Sequence, residues 1–152
     1  MRGLGWPDEG LLLLGEYLAS FKTGFIVKVT CLPFEDAKVP IGIYDLAITS
    51  PPYFDTEQYS NAPSDSATRY KTFERWLLGF FYPMLHKTIV ALKPNKPFIL
   101  NIGSRSYPLS SKLAGWCASN YIHYKKIATR LSGVGGLGKS GEGEVFYELT
   151  SK

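Results

Sequence analysis

Sulfur and imidazole are scarce in this chain of 152 residues, which holds two cysteines, Cys31 and Cys117, and two histidines, His86 and His123. The cysteines lie far apart and match no metal-ligand spacing, which argues against a His/Cys zinc site and for a reduced, cytoplasmic setting. Long hydrophobic runs are lacking as well. The longest apolar tract, Trp76 to Leu92, is interrupted by Pro83, His86 and Lys87 and suits an amphipathic helix better than a membrane span. The run Leu11-Leu12-Leu13-Leu14 is short, follows Asp8 and Glu9, and leads into no small-residue cleavage pattern, so it lacks the form of a signal peptide. Charge of one sign does not dominate either: charged residues make up 20%, hydrophobic residues 45%, and the formal net charge is +4. That balance describes a globular protein and permits nucleic-acid binding without demanding it. No internal repeat and no dividing linker is visible, so residues 1–152 are expected to form a single domain.

Local patterns then give an order of elements. Gly10 to Phe21 predicts a short apolar helix, with Pro7 and Asp8 near its start. Phe25 to Thr30 alternates apolar and polar residues as a strand does, and Leu32 to Asp36 forms a loop or single turn. Tyr44 to Thr49 predicts a buried strand, and the polar, turn-rich stretch from Phe54 to Asp65 has the composition of an active-site loop. A helix is predicted from Ala67 to Leu92, because Phe73, Trp76, Leu77, Phe80, Phe81 and Met84 recur on one face. Pro83 should kink or interrupt it, and Lys93-Pro94-Asn95-Lys96-Pro97 should end it. A strand over Phe98 to Ile102, a helix over Ser110 to Ser119 and a strand over Tyr121 to Leu131 follow. A glycine-rich loop from Ser132 to Gly143 then leads to a last strand, Glu144 to Thr150.

The most informative stretch is Thr49-Ser50-Pro51-Pro52-Tyr53. Two consecutive prolines lack the N–H groups a sheet ladder needs, so the strand before them must stop abruptly. Ser50, two prolyl carbonyls and an aromatic ring are then presented at its carboxyl end, where open α/β sheets bind ligands. A hydroxyl, a free carbonyl and a flat ring suit a planar base with an exocyclic amine.

This segment resembles the catalytic motif of the S-adenosylmethionine-dependent DNA amino-methyltransferases, an Asp, Asn or Ser followed by Pro-Pro-Tyr or Pro-Pro-Phe after a strand. The resemblance covers about Phe25 to Asn101 well and continues as topology to Thr150. It implies methyl transfer from S-adenosylmethionine to N4 of cytosine or N6 of adenine, with DNA as partner. Ser50 Oγ and the Pro51 carbonyl would accept from the amine, Pro52 would complete the turn, and Tyr53 would stack on a base extruded from the duplex. Thr49, Glu35 and Asp36 fall where the family contacts its cofactor, the carboxylates near the adenine amine. An acidic turn cap would explain Glu35 and Asp36 equally well. The fold implied is α/β, a Rossmann-like methyltransferase fold incomplete in its N-terminal half, with a mostly parallel sheet and an antiparallel last strand. Asn101, ending the next strand, either faces the same cleft or caps a turn.

Two further absences bear on this reading. Neither cysteine follows a proline, so the Pro-Cys nucleophile of the cytosine-C5 enzymes is missing. The family's aromatic-x-Gly-x-Gly cofactor loop is missing too; Gly3-Leu4-Gly5-Trp6 has no strand before it. The alternative expectation is therefore a non-catalytic or split methyltransferase-like module that binds nucleic acid, a second copy or a completing subunit. Gly133 to Ser140 satisfies the phosphate-loop pattern G-x-x-x-x-G-K-S. Gly141-Glu142-Gly143 denies it the helix such a loop requires, so a hairpin connection is expected there. Arg69, Lys71 and Arg75, and later Lys125, Lys126 and Arg130, are candidates for phosphate contact, with solvated surface charge as the plainer reading.

Overall fold

The computed structural model of the chain describes residues 30, 32–54, 63, 65–103, 107–130 and 144–151. The expected helix Gly10 to Phe21, the strand Phe25 to Thr30 apart from Thr30, and the loop Ser132 to Gly143 with its phosphate-loop pattern lie outside the described residues.

Four strands form one sheet: β1 (Ala47–Thr49), β2 (Phe98–Ile102), β3 (His123–Arg130) and β4 (Glu144–Thr150), in the order β1-β2-β4-β3. β1 and β2 pair in parallel, joined by a helical crossover of the kind parallel neighbours require. β4 lies antiparallel to both β2 and β3. The mixed α/β class is as expected, but the mostly parallel sheet is not found: one described pairing is parallel and two are antiparallel. The reason is the place of β4. β2 and β3 run the same way, and the reversed last strand is inserted between them, converting one parallel contact into two antiparallel ones. Hydrophobic patterning marks strands; it does not say which strands become neighbours.

The predicted helix from Ala67 to Leu92 is broken into segments. α1 (Ser66–Arg69) is followed by an extended Tyr70, and α2 (Phe73–Trp76) begins afresh with Thr72 accepting from the Arg75 N–H. A π-helical turn, Leu77–Phe81, then runs directly into α3 (Tyr82–Ala91). Pro83 accounts for this wide turn. Having no N–H, it cannot bond the carbonyl four residues back, and the Tyr82 N–H reaches five residues back to Leu77 instead. The carbonyl left over, that of Gly79, accepts from the Tyr70 hydroxyl at 2.9 Å. Gly79 is required there, because a Cβ would fall inside the Tyr70 ring.

The end of α3 and the start of β1 are built together. The Gly42 N–H donates to Val90, those of Ile43 and Tyr44 donate to Ala91, and the Lys93 N–H returns to Tyr44. Carbonyls that a helix end would leave unpaired are thus taken up by the approaching chain. Gly42 adopts the left-handed φ of 64° that this approach needs. The regular strand is consequently shorter than the predicted Tyr44 to Thr49. It is also an edge rather than a buried strand among the described residues, with Ile48 69% exposed.

The core lies on one face of the sheet. Phe98, Leu100 and Ile102 stand opposite Leu149, Tyr147 and Val145 in the β2–β4 register, and all six belong to the buried cluster with Trp76, Phe81, Leu85, Leu113 and Cys117. Full burial of side chains of this size contributes about 1.5–3 kcal/mol each. α4 (Leu109–Ser119) supplies Leu109, Leu113 and Cys117 to that cluster at helical spacing.

Candidate active site at the end of the first strand

β1 stops at Thr49, and Ser50-Pro51-Pro52-Tyr53 leaves the sheet as the two prolines demand. Pro51 is buried, Pro52 and Tyr53 are half-buried, and Ser50 is exposed. The parallel register pairs Thr49 with Leu100, so the next residues, Ser50 and Asn101, come side by side. Asn101 is a buried polar residue of the sheet, 7% exposed. Its Oδ1 accepts from Ser50 Oγ at 3.4 Å and from the Tyr53 hydroxyl at 3.3 Å, using the two lone pairs of an amide oxygen. The sequence left Asn101 between cleft and turn cap; the structure joins it to the first and last residues of the Ser-Pro-Pro-Tyr motif.

Phe54, which carried no assigned role, is the anchor of the segment. Its ring lies 6.0 Å from Phe73, 6.2 Å from Trp76 and 5.2 Å, edge-on, from Tyr107. Trp76 is fully buried, so this contact ties the chain just past the motif to the core. Asp55, Glu57 and Tyr59, further along the same loop, lie outside the described residues.

A cavity of about 580 Å³ opens beside the motif, walled by Thr49, Ser50, Pro51 and Pro52 with Phe34, Met84 and other apolar side chains. That volume falls in the range of small-molecule sites, which combine apolar walls with a few polar groups. The polar side chains in its wall are those of Tyr44, Thr49, Ser50 and Thr88, the last of which donates to the Met84 carbonyl.

Glu35 and Asp36 sit in the 3₁₀ turn Phe34–Asp36, whose Phe34 faces the cavity. Their carboxylates are engaged elsewhere. Asp36 takes Arg69 through both oxygens, at 2.6 and 3.1 Å, and Glu35 accepts from Arg69 at 3.1 Å and from the Tyr70 hydroxyl at 3.2 Å. The Arg69 hydrogen bond holds the Asp36 carboxyl below the usual carboxylate range, and Asp36 in turn raises Arg69. Burial, then the Glu35 charge, pushes the Tyr70 phenol up. Lys87 fixes the same turn from α3 by donating to the Glu35 and Ala37 carbonyls. Thr49, Ser50, Pro51 and Pro52 are therefore brought together at one cavity. Glu35 and Asp36 are held beside it by a cation from the far end of the motif loop.

Arg69, a candidate phosphate contact by sequence, is thus paired internally, and Lys125 bonds Glu148 at 3.0 Å. Lys71 and Arg75 are exposed. The pairing of Arg69 with residues 33 and 34 positions away carries no local sequence signal. Among the described residues no group of three or more His, Cys, Asp and Glu side chains is placed to hold a metal ion. No described helix is long and apolar enough to cross a membrane. Compared with protein-family models, with curated proteins and with solved structures, the chain matches none.

Proposed function

We propose that this chain is an S-adenosylmethionine-dependent DNA amino-methyltransferase domain acting on N4 of cytosine or N6 of adenine, in a cytoplasmic setting. The observation that carries the reading is the Ser50-Pro51-Pro52-Tyr53 turn, set at the carboxyl end of a parallel strand beside a ligand-sized cavity. The α/β crossover from β1 to β2 and the antiparallel last strand support the Rossmann-like methyltransferase fold that the motif implies.

In this reading the exocyclic amine is bound between two acceptors, Ser50 Oγ and the Pro51 carbonyl. An amine conjugated with its ring is a weak nucleophile, and acceptors on both its hydrogens localise its lone pair out of the ring. Tyr53 stacks on the extruded base. Its ring is held at two points, by the Asn101 bond and by packing against the core cluster. No strong base is needed, because the amine proton becomes acidic once the nitrogen is alkylated, so positioning does most of the work. The cavity suits a nucleoside cofactor in size, and Phe34, Thr49 and Ser50 would wall it; when bound, S-adenosylmethionine supplies the methyl group. Glu35 and Asp36 fit less well as adenine acceptors while Arg69 occupies them.

One observation favours a second reading, a methyltransferase-like module completed by a partner subunit. β1 has a strand neighbour on one side only among the described residues, and Ile48 within it and Ile43 and Leu46 just before it are exposed. Calorimetric titration of the purified chain with S-adenosylmethionine and S-adenosylhomocysteine separates the two. Micromolar binding followed by methyl transfer to DNA supports the enzyme. Absence of binding by both ligands rejects a self-sufficient enzyme and leaves the module.

A further inference from the structure

We infer that Asn101 is a positioning residue that turns the Ser50 hydroxyl into a pure acceptor for the substrate amine. The inference rests on the methyl-transfer reading above and adds a residue the motif does not contain.

A serine hydroxyl has one proton and two lone pairs, and its proton goes wherever the best acceptor lies. A hydroxyl free to rotate can point that proton at the incoming amine and repel it. Here Ser50 Oγ donates to Asn101 Oδ1, so the proton is directed into the protein and the lone pairs face outward. The Tyr53 hydroxyl donates to the same oxygen, which fixes the two ends of the turn relative to each other. One buried carbonyl therefore sets both the hydrogen-bonding sense of Ser50 and the position of the stacking ring.

Two observations bear on this arrangement. Asn101 belongs to the regular part of β2, paired with Phe146 of β4, so its backbone is held on a rigid element. The two bonds, at 3.4 and 3.3 Å, are long for hydroxyl donors. Catalytic hydrogen bonds are commonly long before substrate binds and tighten in the complex.

The test uses one readout that needs no turnover and one that does. In nitrogen-15-labelled protein, the side-chain amide resonances of Asn101 are expected to shift in both Ser50→Ala and Tyr53→Phe; resonances unmoved by either substitution overturn the inference. In assays with radiolabelled S-adenosylmethionine and DNA, Asn101→Ala should lower kcat about tenfold or more while leaving KM for the cofactor unchanged. Asn101→Asp removes the amide donors but keeps an acceptor for both hydroxyls. It should recover activity as pH rises through the new carboxyl's pKa, a dependence absent from the native chain. An Asn101→Ala enzyme with native kcat, or an Asn101→Asp enzyme no better than Asn101→Ala at any pH, overturns the inference. If Asn101→Ala fails to fold by circular dichroism, Asn101→Asp and the resonance shifts still decide. A native chain that binds the cofactor yet methylates no DNA ends the methyl-transfer reading instead, and the resonances alone then judge whether the clamp exists.

Discussion

The Tyr70 hydroxyl donates to the Gly79 carbonyl at 2.9 Å, filling the position that the missing N–H of Pro83 leaves open in the helix. Tyr70 lies in the break between α1 and α2, so one hydrogen bond joins the exit of the motif loop to the wide turn of the long helical run. Replacing Tyr70 by Phe should destabilise the protein by about 1 kcal/mol, because the hydroxyl has one proton to share between Gly79 and Glu35. Gly79→Ala should cost about 1–3 kcal/mol, because the Tyr70 ring must move to admit a methyl group. Pro83→Ala restores the helical N–H, so Tyr70→Phe should cost less in that background. Urea unfolding of the four variants in a double-mutant cycle measures the coupling; additive costs would show that Pro83 does not create the need for Tyr70.

The Arg69 pairs make a statement about acid stability. The folded-state pKa of Asp36 is lowered by its hydrogen bond to Arg69. Its contribution is therefore fully present above the ordinary carboxylate pKa of about 3.9 and is lost as pH falls through the lowered folded value. Arg69→Met should flatten the stability profile below about pH 4 and leave its shape near pH 7 unchanged. Thermal melting across that range, with Asp45→Asn included because Lys93 and Lys96 lower Asp45 in the same way, reads the effect. An unchanged acid limb in Arg69→Met would mean the pair is formed only loosely in solution.

Ser50 is exposed, so its removal tests chemistry with little cost to folding. Ser50→Ala should reduce methyl transfer on the order of 10²-fold or more while the melting temperature stays within about 2 °C of native. Near-native turnover in this variant would sink the assignment of Ser50 to the amine.

Cys117 is fully buried in the core cluster, and burial pushes its thiol up to about 11. Since the thiolate is the reactive form, Cys117 should resist iodoacetamide at pH 8 in the native state and react only on unfolding. Peptide mapping of labelled Cys117 against urea should then follow the global transition; prompt labelling without urea would reveal a local opening of α4.

What the residues announced, and what they did not, divides by the range of the interaction. The β-branched and aromatic run at Phe98, the helical spacing of Leu109, Leu113 and Cys117, and the stop at Pro51-Pro52 are local, and each element formed within a residue or two of its predicted place. Pro83 marked a disturbance but not its form. The π turn leaves the Gly79 carbonyl to accept from the Tyr70 hydroxyl, a pairing no periodicity encodes. The partners of the site are remoter still. Ser50 and Asn101 are 51 residues apart, and only the β1–β2 register makes them neighbours. Glu35 and Asp36 are expected near the cofactor from the resemblance alone; their turn lies beside the cavity, but the cation that occupies them comes from beyond the motif. The expectation of a mostly parallel sheet failed for the same reason, since nothing local tells β4 to enter between β2 and β3.

That insertion also sets a timetable. Chains are made from the N-terminus, so a ribosome finishes β3 before the strand that will hold it exists. Until residues 144–150 emerge and enter the gap, β2 has only β1 as a neighbour and β3 has none among the described strands. Asn101 sits on the waiting strand, opposite Phe146. The strand that carries Asn101 therefore gains its second neighbour only once residues 144–150 have been made, long after Ser50 and Asn101 themselves.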